Sequence, residues 1–180
     1  MRYVILVLLF YSLIQLYLLS VFLKKRQKIA QKSAISSLGL IWLIFLIDYI
    51  CAFYIPDIAY FLVILSFFFN TFLGYYCNLF TRSKRYDRFQ HLFGCFSFAI
   101  ILYFLSANIF DLSGTKSFHS FYIFLLGIFS GVFTEILEFL YDLKHEEKMQ
   151  KGLQDTNVDM VFDVIGSMFS AIFAFLFLIK

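Results

Sequence analysis

Residues 134–142 read Thr-Glu-Ile-Leu-Glu-Phe-Leu-Tyr-Asp and close an apolar run that opens at Phe118. Glu135, Glu138 and Asp142 stand at i, i+3 and i+7, so a helix places the three carboxylates within about 60° of one another. The run with its tail is long enough to cross a bilayer. A charged side chain at mid-depth of such a span costs about 2.5–3.5 kcal/mol, and less towards an interface. A span that keeps two glutamates therefore needs partners for them, and finding those partners organises the reading of the rest of the chain.

Of the 180 residues 62% are hydrophobic and 22% aromatic, the mean hydropathy is +0.83, and Pro56 is the only proline. A soluble core of this size cannot hide that much apolar surface. Repeated runs of about 20 apolar residues read instead as membrane-spanning helices, which satisfy their own backbone hydrogen bonds. The expected fold is all-α: one integral membrane domain, residues 1–180, with six spans at about 3–23, 35–55, 58–80, 86–107, 118–141 and 158–179. Cys51, Cys77 and Cys95 fall inside apolar runs without metal-ligand spacing and read as buried thiols. The net charge of +3 comes from basic residues between the spans. They answer to topology, and no nucleic-acid partner is expected.

Those residues set the orientation. The loops after the first, third and fifth spans hold Lys24, Lys25, Arg26, Lys28, Lys32, Arg82, Lys84, Arg85, Arg88, Lys144, Lys148 and Lys151. The opposite side holds Arg2, Lys116 and Lys180. Twelve against three places the three loops inside and both termini outside. A bacterial plasma (inner) membrane is the expected setting. Residues 29–37 read as a short polar link and 143–157 as the most polar stretch.

With this orientation the unusual residues gather at one level. The fourth span enters with Asp87, His91 and Gly94 on one face, at i, i+4 and i+7. The fifth leaves with Glu135, Glu138 and Asp142, and its face continues back through Gly131 and Gly127. The sixth enters with Asp155, Asp159, Asp163 and Gly166, followed by Ser170 and Ala174. At about 1.5 Å per residue, His91, Glu135, Glu138 and Asp163 all fall one to two turns below the same boundary. The small residues on these faces allow close helix approach.

Each residue also has a plainer reading. Asp87 and Asp159 suit helix N-termini through capping and the macrodipole. Arg88 suits a snorkelling topology determinant, and His91 a satisfied structural histidine. Asp142, Asp155, Glu146 and Glu147 border water as solvated charge. Asp48 and Asn70 read as interhelical hydrogen-bonders. Glu135, Glu138 and Asp163 resist the plain reading most, because intramembrane ionisable residues mark functional sites by default.

The order Asp87-Arg88-x-x-His91, Glu135-x-x-Glu138, then Asp159-x-x-x-Asp163-x-x-Gly166 resembles the YjdF-like family of bacterial inner-membrane proteins. More distantly it resembles the VanZ-like family, whose corresponding motifs are Asp-Lys-x-x-His, Glu-x-x-Gln and Asp-x-x-x-Asn-x-x-Gly. Arg88, Glu138 and Asp163 depart from that second pattern and make this chain more acidic. The resemblance covers residues 86–174 and implies a membrane protein of the bacterial inner membrane; neither family brings an established reaction with it.

Three functions fit these residues. The first is an enzyme acting from the cytoplasmic face on a lipid or lipid-linked cell-envelope substrate. In it Glu135, Glu138, His91 and Asp163 serve catalysis, and Glu135, Glu138, His91, Asp159 and Asp163 can hold a divalent cation. Asp87, Arg88, Gly131 and Gly166 would support that site. The second is an ion- or proton-coupled transporter, against which stand the absence of broken helices and of an inverted repeat. The third is a non-catalytic protein whose Arg88–carboxylate–His91 network specifies helix packing.

Overall fold

Helix α1, Arg2–Lys24, ends where Arg26 takes a left-handed conformation, φ 57°, and the chain turns directly into α2, Lys28–Cys51. The computed structural model describes residues 2–146 and 148–179, so Met1, Glu147 and Lys180 lie outside the described residues. Among the described residues six helices are long and apolar enough to cross a membrane: Tyr3–Lys24, Lys28–Cys51, Asp57–Tyr76, Lys84–Phe110, Lys116–Asp142 and Leu153–Leu178. There is no strand among the described residues, and the all-α expectation holds. Two compact units divide the chain, Met1–Asp87 and Arg88–Lys180.

Among the differences from the expected span boundaries, the starts of the second and sixth spans shift most. The second span starts at Lys28, not near 35, and the supposed polar link at 29–37 is helical. The reason is a buried face: the small Ala30, Ala34 and Ser37 and the larger Ile41 are buried, and Ala30 and Ala34 pack with Leu18 and Phe22 of α1. A helix needs one apolar face, not an apolar circumference. The sixth span starts at Leu153, not 158, because Gly152, at φ 113°, breaks the preceding chain and Asp155 occupies the favourable first turn.

In the first unit, α3 (Asp57–Phe68) follows Pro56 at its N-cap and runs into a π-helical stretch, Phe69–Tyr76, and then the short α4, Leu79–Arg82. Lipid offers helices little hydrophobic reason to associate, so close packing and interhelical hydrogen bonds carry the assembly. Gln15, fully buried on α1, donates across to Thr71 Oγ1 at 2.7 Å and, within its own helix, to Tyr11 Oη at 2.9 Å. Tyr60 donates to Asp48 Oδ2 at 2.9 Å, and Ser33 to Asn70 Oδ1 at 2.7 Å. Asp48 and Asn70 are thus the interhelical hydrogen-bonders their positions suggested.

The second unit contains most of α5 (Lys84–Phe110), then α6 (Lys116–Asp142) and α7 (Leu153–Phe173), which continues as a π-helical turn to Leu178. Ala99, Tyr103, Ile123 and Ala174 form the core at one end. Towards the other end the contact surfaces are small. The buried face of α6 is Ser120, Ile123, Gly127, Gly131 and Glu135; that of α7 is Asp159, Asp163, Gly166, Ser167 and Ser170. A Cβ added at Gly166 would sit 2.1 Å from the Leu92 carbonyl oxygen of α5. One added at Gly131 would meet the Asp163 carboxylate at 2.5 Å. These glycines let α5, α6 and α7 approach at the level of the ionisable groups.

Candidate functional site

α5 presents His91, α6 presents Glu135, and α7 presents Asp159 and Asp163. The three carboxylates are 7%, 5% and 3% exposed, as buried as the apolar core. His91 sits between them. Its Nδ1 lies 3.1 Å from Asp163 Oδ1, and its Nε2 faces Glu135 Oε1 at 3.8 Å. One ligand atom each from His91, Glu135 and Asp159 lies within 4.8 Å of the others.

Neighbouring groups hold the carboxylates in place. Cys95 Sγ, one turn beyond His91 on α5, donates to Asp163 Oδ1 at 3.1 Å, and Ser167 Oγ donates to the Asp163 backbone carbonyl at 2.6 Å. From the polar loop, Gln150 Nε2 donates to Glu135 Oε2 at 2.8 Å and to the Glu135 carbonyl at 3.2 Å. The loop itself is anchored by Asp142, whose carboxylate accepts the backbone N–H groups of Met149 and Gln150 at 2.7 and 3.0 Å. Lys148 Nζ donates to the Asp142 carbonyl. Asp142 is therefore a half-buried loop anchor rather than solvated charge.

The chemistry of this donor set is specific. An Asp163 carboxylate on Nδ1 favours a proton on that nitrogen and leaves Nε2 facing Glu135 Oε1. A carboxylate on one imidazole nitrogen, with further carboxylates grouped near the ring, is an arrangement that can orient histidine for a metal ion. Borderline divalent cations accept imidazole and carboxylate together, and three protein ligands leave coordination positions for water or substrate.

A family model described as "Predicted membrane protein (DUF2238)" matches residues 4–180. The chain belongs to that family. DUF2238 is the YjdF family, which agrees with the resemblance carried by the motifs of α5, α6 and α7. No curated protein and no solved structure matches the chain. Membership in DUF2238 brings the multi-pass membrane character and no reaction.

The residues singled out from the sequence separate into groups. His91, Glu135, Asp159 and Asp163 converge. Glu138, three residues beyond Glu135, is half-buried and stands outside the group of converging ligand atoms. Asp87 is half-buried one turn before His91 on α5. Arg88 reads as a snorkelling topology determinant, and as a partner of the carboxylates only in the structural reading. Its Nε is buried without a hydrogen bond. Gly131 and Gly166 provide the close approach described above. Sequence reasoning missed Gln150 and gave Cys95 no hydrogen-bonding role. For Gln150 only the polarity of its loop was visible, because reach across 15 residues depends on how that loop folds.

Proposed function

We infer that this protein binds a divalent cation within the membrane and uses it on a lipid or lipid-linked substrate. The ligands are His91 Nε2, Glu135 and Asp159. Asp163 is the positioning residue that holds the imidazole through Nδ1. The observation that carries the reading is the placement of His91 between Asp163 at 3.1 Å and Glu135 at 3.8 Å, with Asp159 completing the donor group. A bound cation polarises an oxygen ligand and makes a coordinated water a stronger acid. Glu135, which also takes a hydrogen bond from Gln150, stays oriented towards that position. Under the positive-inside reading the site opens to the cytoplasmic side of a bacterial plasma membrane, and both termini lie outside. The motif likeness to VanZ-like proteins fits a cell-envelope substrate by analogy alone.

The same contacts favour a second reading, in which a protonated His91 pairs with Asp163 and Glu135 as scaffolding. Metal content of purified protein separates the two. On the first reading Mn²⁺ or Zn²⁺ copurifies and is lost in Glu135→Gln and Asp159→Asn, which fold normally. Asp163→Asn keeps the fold and weakens metal affinity by roughly 10–100-fold, the usual effect of losing a residue that orients a ligand. Absence of metal from the wild type, with collapse of all three variants on extraction, overturns the cation reading.

A further inference from the structure

A small cavity of about 210 Å³ lies between α6 and α7, lined by Ile128, Val132, Met160, Val161, Asp163 and Val164. Five of the six lining residues are apolar, and Val132, Met160, Val161 and Val164 are exposed on the outer surface of the two helices. In a membrane that surface faces hydrocarbon. The sixth residue is Asp163, whose side chain is only 4% exposed. Its Oδ1 accepts from His91 and Cys95, while its Oδ2 is buried without a hydrogen-bond partner. A Cβ at residue 131 would lie 2.5 Å from that oxygen, so glycine there lets the carboxylate pack directly against α6.

An orphaned carboxylate oxygen beneath an apolar opening calls for a hydrogen-bond donor on an apolar chain. A phosphate does not meet the requirement. It offers little to donate, and Glu135 and Asp159 add negative charge beside it. A neutral hydroxyl meets it, and can also sink below the headgroup level where a phosphate is held. The cavity is too small for a drug-sized ligand and accommodates a hydroxyl with its first carbons. We propose that the α6–α7 cavity is a lateral entry from the bilayer, through which a hydroxyl-bearing lipid places its O–H on Asp163 Oδ2. This deepens the reading above and rests on it, naming the substrate class as a long-chain alcohol or lipid with a free hydroxyl.

The test uses full-length protein in lipid nanodiscs and a diazirine-bearing long-chain alcohol, alongside its methyl ether. The alcohol is expected to label residues 128–132 and 160–164 at least several-fold more strongly than the ether, and excess unlabelled alcohol to compete. Val132→Trp and Val164→Trp fill the opening from its lipid-facing side, so they should fold normally and abolish the selective labelling. Equal labelling by alcohol and ether, or selective labelling that survives both tryptophans, overturns the entry. Metal content measured on the same preparations keeps the two ideas apart. Selective labelling without metal upholds the entry and rejects the cation, and metal without selectivity does the reverse.

Discussion

Replacing Gly166 by alanine is the smallest change that bears on both packing and the site. The new Cβ would lie 2.1 Å from the Leu92 carbonyl oxygen, 2.8 Å from its carbon and 2.9 Å from its Cα, all backbone atoms of α5 that no rotamer change can remove. Reaching even 3.0 Å from that oxygen parts α5 and α7 by about 0.9 Å. Leu92 follows His91, and Gly166 lies one turn after Asp163, so the separation falls directly on the pair those residues form. A contact of 3.1 Å becomes about 4.0 Å and ceases to be a hydrogen bond. Overpacking of this kind costs about 1–3 kcal/mol, which for a chain of this size lowers Tm by about 2–12 °C. Gly39→Ala is the matched control, because nothing lies within 4 Å of a Cβ there. At Gly39 the better helix propensity of alanine should hold or raise Tm. Thermal unfolding of the detergent-solubilised variants reads both. If Gly166→Ala melts with the wild type and retains its metal, the backbone contact between α5 and α7 does not position the site.

Gly127→Ala drives a Cβ to within 2.4 Å of Ser167 Oγ and 2.6 Å of its Cβ, so it should destabilise, and Ser167→Gly in the same chain should recover most of the loss; a double-mutant cycle in Tm with no coupling refutes this. Asp142→Ala removes the acceptor of two backbone N–H groups and should speed protease cleavage at 144–150 several-fold while shifting Tm by only a few degrees; unchanged cleavage would mean that the loop is held by other contacts. A reporter fused after Lys180 should be active only if it works outside the membrane, and a cytoplasm-only reporter active there reverses the orientation.

Periodicity made the helical faces legible before any coordinates. Glu135, Gly131 and Gly127 recur every four residues, and the buried face of α6 contains all three. Asp159, Asp163, Gly166 and Ser170 mark the face of α7 in the same way. Angular position does not reveal where a long side chain bends, so the burial of the Arg88 Nε without a hydrogen bond could not be read from spacing. Nor does it separate Glu135 from Glu138, two glutamates about 60° apart on one helix, of which one points into the packed interface and the other to its margin. The loop from Leu143 to Gly152 was opaque for a different reason: its conformation rests on Asp142 accepting two specific backbone groups, a tertiary fact without sequence periodicity.

The bond from Gln150 to Glu135 also bears on how the chain is made. Synthesis delivers α6 before α7, so Glu135 enters the bilayer 28 residues ahead of Asp163. At about 5–20 residues per second that is an interval of roughly 1.5–6 s. During it α7 is absent, and with it Asp159, Asp163 and the small-residue surface that completes the site. Gln150 precedes α7 in the chain and brings an amide donor to both the carboxylate and the backbone carbonyl of Glu135. Gln150 precedes Asp163 by 13 residues, so the donor that Glu135 meets in the finished structure is made before the partner helix α7.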